Sequence, residues 1–249
     1  MNNSEYNTSG GTALADHITA LRSALLKIIT VTFILFPFGY WASDYVIDFL
    51  VKWSVPETLG QLHYFTPMEV FIVRLKMALI LALIAAYPWN IYQVWTFLLP
   101  ALYRNERKAL STLLFFSSLL FFAGAAFCIL LILPLIMDFA ASFAGEEVKP
   151  LLGLKSFLEL ASWLILAFGL MFQTPVLLLP AVKFGLVSVS TLKKLRPYII
   201  VTILIIAAVL TPPDIVSQLM LAIPTWLLFE IGLLAASRID KKTDDVQIL

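Results

Sequence analysis

The chain has 249 residues, of which 61% are hydrophobic, and only 17 basic and 16 acidic side chains leave it a net charge of +1. Its mean hydropathy of +0.93 is that of an integral membrane protein and excludes a water-soluble core or a nucleic-acid binder built on a basic surface. A spanning helix needs about 20 apolar residues, and the chain offers six such runs.

The first 24 residues are polar, and the apolar run after them is long enough to stay in the bilayer, unlike a cleavable leader. In chain order the expected spans cover about 25–42, 68–92, 109–138, 156–182, 197–210 and 215–236. The third, at about 29 residues, is near 43 Å long at 1.5 Å per residue, so it must tilt or project. The fifth, from Pro197 to Leu210, is about 14 residues, or near 21 Å, short of a hydrocarbon core of roughly 30 Å. The sixth carries Pro224 near its middle and Glu230 before its end. Two short neighbours joined by the turn Thr211–Asp214 match lipid poorly, which favours a thinned bilayer or partner helices on that flank.

Six spans put both termini on one side. That side receives Arg22, Lys27, Arg104, Arg107, Lys108, Lys183, Lys193, Lys194, Arg196, Arg238, Lys241 and Lys242, against Lys52, Lys149 and Lys155 opposite. By the positive-inside rule both termini are cytoplasmic. The expectation is one all-α transmembrane domain over residues 1–249, an open concave bundle with two short C-terminal spans. The polar tails 1–15 and 238–249 have the composition of flexible segments.

Reactive chemistry is sparse. His17 and His63 lie far apart and without metal-ligand spacing. No phosphate-binding glycine loop, nucleophile elbow or zinc-protease motif occurs. The ten glycines are scattered, with no small-xxx-small motif standing out, and Cys128 sits alone in an apolar run. The reading is a protein without catalytic residues, cofactor or bound metal. The alternative is a secondary transporter of a small solute, but the two three-helix halves do not resemble each other as transporter repeats do.

The richest segment is YPWNIYQVWTFLLPALYRNERK, residues 87–108, which sets aromatic rings, prolines and a basic cluster around the lone acid Glu106. Aromatic rings anchor helices at headgroup depth, whereas an acid on a short basic loop suits a cationic ligand. The bases Arg104, Arg107 and Lys108 keep that acid ionised, although they would equally pair with it as an ordinary solvated cluster.

Together with HITALR (17–22), FTPMEVFIVRLKMAL (65–79), FGLMFQTPV (168–176), LKKLRPYIIV (192–201) and LTPPDIVSQLMLAIPTWLLFEIG (210–232), this segment resembles the TatC family, receptor subunits of the twin-arginine protein translocase. The resemblance runs from about His17 to Ala236. It implies a receptor in the bacterial inner membrane that binds twin-arginine signal peptides of folded cargo. Small single-span partner subunits join it, within a homo-oligomeric assembly driven by the proton-motive force. It places the signal-binding surface on the N-terminal segment with Asp16, His17 and Arg22, and on the first cytoplasmic loop with Phe97, Leu102, Tyr103 and Glu106. The docking flank for a partner helix would hold Gln173, Thr211, Asp214, Gln218 and Glu230.

Two positions depart from the family pattern. The family commonly reads HLxELR, with a glutamate that helps bind the signal arginines, and Ala20 stands there in this chain. Asp16, four residues earlier on the same helix face, is the available substitute. Many members also carry a glutamate in the fourth span where this chain has Gln173, a group cheaper to bury than a charge.

Overall fold

A computed structural model describes residues 6–60, 62–98, 107–142, 151–183, 185–210 and 215–247. Among these the architecture is all-helical: α1 (Tyr6–Ser54), a 3₁₀ turn (Glu57–Leu59), α2 (Pro67–Leu98) and α3 (Arg107–Phe127). A π turn (Cys128–Ile132) then leads into α4 (Leu133–Ala141), followed by α5 (Leu154–Met171), α6 (Thr174–Lys183), α7 (Val189–Leu210) and α8 (Ile215–Gln247). Five stretches are long and apolar enough to cross a membrane: His17–Ser54, Pro67–Phe97, Leu110–Ser142, Leu154–Lys183 and Ile215–Arg238. A shorter apolar helix covers Arg196–Val209. The fifth apolar run is short as expected, although its helix α7 has 22 residues, but the sixth is not: Ile215–Arg238, at 24 residues, is long enough to span, because Pro224 and Glu230 do not interrupt the helix.

The helices overrun the apolar runs at several ends. The backbone of 6–15 and of 238–247 continues α1 and α8. At its other end α1 continues past Ala42 to Ser54, where Leu50 is buried in the core with Val46, Ile47 and Val51 packed against it, and Asp44 pairs with Arg74 Nε of α2 at 2.8 Å. Prolines act unevenly. Pro37, Pro88, Pro197 and Pro224 lie inside continuous helices, as neighbouring helices permit in a bundle. The fourth run is interrupted at Phe172–Gln173, immediately before Pro175, whose ring and missing N–H oppose a continuous ladder.

The main core joins α2, the π turn, α4 and α5 around Met77, Leu133, Phe157, Leu158, Leu164 and Phe168. Around it α3 packs on α5, α6 and α7 pack on α8, and α1 packs chiefly along α2. The contact between α1 and α2 is made by small residues. Gly39 and Ser43 are buried on α1, and Ala78, Ala82 and Ala86 are buried on α2. A Cβ on Gly39 would overlap the carbonyl of Ala78 and lie 3.3 Å from the amide nitrogen of Ala82. The spacing Gly39-xxx-Ser43 is thus a small-xxx-small pattern used for packing within the chain; such residues let backbones approach closely.

One acid organises the end of the bundle opposite the N-terminus. His63 N–H donates to the Leu152 carbonyl at 3.0 Å, and Leu154 N–H donates to the His63 carbonyl at 2.8 Å. Beneath this bridge Glu69 is buried and accepts from Phe65 N–H at 3.0 Å and from Lys155 N–H at 3.2 Å. It thereby ties the start of α2 to the start of α5. Thr66-x-x-Glu69 follows the pattern of a helix-capping box, and a carboxylate suits the partly positive N-termini of two helices.

Candidate signal-binding surface and partner flank

At the other end, α1 runs antiparallel to α2 and brings His17 to Phe97. Their rings stack with centroids 4.4 Å apart and an interplanar angle of 27°. These residues are eighty positions apart, so the stack fixes the N-terminal part of α1 against the exit of α2. From there the chain enters residues 99–106 and resumes at Arg107 as α3. Leu102, Tyr103 and Glu106 lie outside the described residues. Asp16 is placed on α1 by its backbone, one residue before His17 and four before the exposed Ala20.

Arg22 continues this surface into a groove of about 490 Å³ between α1 and α2, lined by Ser23, Leu26, Lys27, Thr30 and Trp89 among others. Two cations rim an apolar floor. The indole of Trp89 is 44% exposed there, which gives a flat apolar wall beside polar heads. Chemically this is a surface for an extended, partly apolar chain, and its described charges are positive.

The residues expected on a partner flank divide into two groups. Gln173 sits at the break between α5 and α6, buried against α3. Its Oε1 accepts from the Ser117 hydroxyl at 2.5 Å, and its Nε2 donates to the Ser117 carbonyl at 3.0 Å. The phenol of Tyr87 approaches the Ser117 hydroxyl at 3.5 Å, and its ring stacks on Phe121 at 3.6 Å. This network explains the amide. Its nitrogen supplies a donor to a backbone carbonyl, which an ionised glutamate lacks. Gln173 therefore spends its polar atoms inside the bundle.

Gln218 and Glu230 lie on α8 against α7. The Gln218 amide donates to the Leu204 carbonyl at 3.0 Å. Arg196 Nη2 meets Glu230 Oε2 at 2.7 Å, and the Glu230 side chain is 21% exposed. Thr211 and Asp214 lie outside the described residues. On the far face of α8, Gly232 admits Pro175 and Leu178 of α6 at distances that a Cβ would close to 2.9 Å. A buried apolar cluster of Val182, Val189, Leu192, Phe229, Leu233 and Ala236 packs α8 on α6 and α7, with the polar contacts added to α7 and the close approach at Gly232 to α6.

Several ion pairs escape a reading of the sequence alone. Lys76 of α2 pairs with Glu159 of α5, and Arg74 pairs with Asp44. The sequence marks Arg74 and Lys76 as charges inside a span, which in a membrane signals a partner, but not which acid serves. Among the described residues no group of three metal-ligating side chains occurs.

The helices and their apolar lengths define a polytopic α-helical membrane protein with a polar surface at one end and, on one side, a helix α7 whose apolar stretch is short. Residues 16–224 match the family described as Sec-independent protein translocase protein (TatC). The chain is 35% identical over 234 residues to TatC of Haemophilus influenzae, covering 93% of this chain and 91% of that protein. Against TatC of Escherichia coli K12 it is 38% identical over 223 residues, covering 88% and 86%. A solved structure, the crystal structure of the twin-arginine translocase receptor TatC in DDM, superposes with a TM-score of 0.79 at 30% identity, covering 88% of this chain and 99% of that one. The chain belongs to the TatC family, and it is a multi-pass subunit of the Sec-independent protein translocase.

Proposed function

We propose that this subunit is the receptor for twin-arginine signal peptides of folded cargo, and that it recruits small single-span partner subunits for translocation driven by the proton-motive force. The observation that carries the reading is the His17–Phe97 stack, which makes one surface of the two segments that the family resemblance assigns to the signal peptide. On this reading both termini face the cytoplasm of a bacterial cell, and several copies assemble in its inner membrane. The arginine pair binds Glu106 with help from Asp16. The apolar stretch of the signal follows the groove past Trp89, with Arg22 and Lys27 repelling a guanidinium placed too far along it. Site-specific crosslinking from positions 17, 97 and 103 to a twin-arginine signal peptide tests the surface. Adducts that form equally with a twin-lysine peptide would remove the specificity the reading requires.

Asp16 carries a separate expectation. If it stands in for the family glutamate, Asp16→Asn weakens signal-peptide binding, and Ala20→Glu added to it restores binding. One charge-assisted contact is worth on the order of 1.5–3 kcal/mol, and less where it is exposed. A titration giving equal affinities for wild type and Asp16→Asn leaves Glu106 working alone or with an acid other than Asp16.

We further propose α7 and α8 as the flank on which a partner's single span docks, with Gln218 as its polar register point. Interhelical hydrogen bonds in membranes average only about 0.6 kcal/mol, so the glutamine selects register while the short apolar stretch of α7, Arg196–Val209, favours association. Gln218 is bound to Leu204 within the flank, so a partner competes for or shares that amide. Gln218→Leu is expected to shift the partner's crosslinking register and to leave signal binding near wild type. Loss of signal binding with unchanged partner crosslinks would place Gln218 on the cargo path instead.

A further inference from the structure

The pair Lys76–Glu159 lies outside both surfaces. Its side chains remain 54% and 38% exposed, although they project from spanning helices where charge is costly. One contact also leaves them unsatisfied: an ammonium has three donors and a carboxylate two acceptor oxygens. The pair opens onto a cavity of about 360 Å³ lined by Val73, Leu79, Ile80, Leu158, Ser162 and Trp163. Trp163 is shared with a second cavity of about 420 Å³, which continues past Leu83, Leu166 and Leu170 to Asn90. The two cavities meet at Trp163, and read together as a groove along α2 and α5 they carry the ion pair near one end and Tyr87 and Asn90 near the other, between apolar walls.

Depth identifies what fits. The helices enter side by side from the rim where His63 bridges Gly153. At 1.5 Å per residue, Glu159 lies about 8 Å and the Lys76 backbone about 14 Å below the helix starts. A helical side chain leans toward its N-terminus, so Lys76 reaches up toward Glu159 from below. Headgroup layers occupy roughly 5–8 Å on each side of a hydrocarbon core of about 30 Å, so with the rim set at the outer face of the headgroup layer the pair falls at the boundary between headgroup and acyl chain. From Glu159 to Leu170 the groove runs about 16 Å, close to half the core.

We propose that this groove binds a phospholipid with a primary-ammonium zwitterionic headgroup, its phosphate on Lys76, its ammonium on Glu159 and one acyl chain laid past Trp163. The order of charges argues for that occupant. In such a headgroup the ammonium lies outward of the phosphate, and Glu159 stands nearer the rim than Lys76. An anionic headgroup would satisfy Lys76 but meet the carboxylate, and a quaternary ammonium would bring no N–H donor to it. Lipid bound here braces α2 against α5 at the depth where no backbone bond links them.

The test uses the full chain, delipidated and reconstituted in vesicles of equimolar phosphatidylethanolamine, phosphatidylcholine and phosphatidylglycerol. Mild re-extraction is followed by mass spectrometry of the retained lipid. Wild type is expected to retain phosphatidylethanolamine severalfold over either competitor. Glu159→Gln should lose that preference and shift toward phosphatidylglycerol, and Leu79→Trp, which keeps both charges but fills the groove, should lose all three. The exchange Lys76→Glu with Glu159→Lys keeps an ion pair, and so guards against a merely unfolded variant, yet it should abolish the preference. Equal retention of the three lipids by wild type, preference for phosphatidylglycerol, or a partner's span occupying the groove in place of lipid would each overturn the proposal. Signal-peptide binding, measured in parallel, reports separately on the receptor reading.

Discussion

Glu106→Ala is expected to abolish binding of a twin-arginine signal peptide while leaving the protein inserted and folded. Adjacent guanidiniums need a carboxylate of fork geometry, and charge-assisted hydrogen bonds are worth on the order of 1.5–3 kcal/mol each. Ala20 removes the acid that the family usually sets beside it. On the proposed reading Glu106, helped by Asp16, carries most of the contacts that the family pattern divides between two acids, and losing two of them lowers affinity by more than a hundredfold at about 1.4 kcal/mol per decade. The neighbours amplify the loss. Without Glu106, the bases Arg104, Arg107 and Lys108 present an unbalanced cationic patch to a doubly cationic ligand, and Glu106→Lys adds a fourth. Lys108→Ala should be mild, because it removes repulsion rather than a contact. The measurement is a titration of labelled signal peptide against purified protein, with thermal unfolding as the control for folding. Wild-type affinity and export in Glu106→Ala would refute the assignment of this loop.

The sequence was legible where one residue type reports on its own surroundings. Apolar runs marked the spans because the solvent for those residues is hydrocarbon, and the short run before Leu210 became the short helix Arg196–Val209. Helix ends were harder, since a polar residue ends a span but not a helix. Asp44 lies within a helix whose following residues, Leu50 among them, pack on the core, and its charge is paired with Arg74, thirty residues away. Pro175 coincides with a break and Pro224 does not.

The site shows the same division. Phe97 and Glu106 stand out through composition and family pattern, but only the folded chain puts His17 on Phe97. Lys76 announces that it needs an acid, yet Glu159 is eighty-three residues away and is chosen by tertiary packing. Glu69 was within reach of local reasoning. Thr66-x-x-Glu69 is a capping pattern, and what it does not disclose is the second bond to Lys155 across the bundle.

Gly39→Leu should detach the recognition surface from its support although it lies far from it in the chain. Helix α1 packs chiefly along α2, with large apolar side chains such as Phe33 and Trp41 facing outward at 77% and 72% exposure. Its approach to α2 depends on the absence of a side chain at Gly39, where a Cβ would meet the backbone of Ala78 and Ala82. Backbone cannot rotate aside as a flexible side chain would. Even Gly39→Ala must therefore push α1 outward, and overpacking of this kind costs about 1–3 kcal/mol. A longer side chain wedges the helices apart, and because α1 is one continuous helix the displacement reaches His17. Spin labels on cysteines placed at 17 and 97 would report it as a distance, with signal-peptide binding measured in the protein that keeps His17 and Phe97. The label separation should be short and narrowly distributed without a change at Gly39, longer with Gly39→Ala and longest with Gly39→Leu, with signal-peptide binding falling in the same order. A Gly39→Leu protein that keeps the short separation and binds signal peptide normally would mean that α1 is held at its N-terminal end by something other than the seam of small residues on α2.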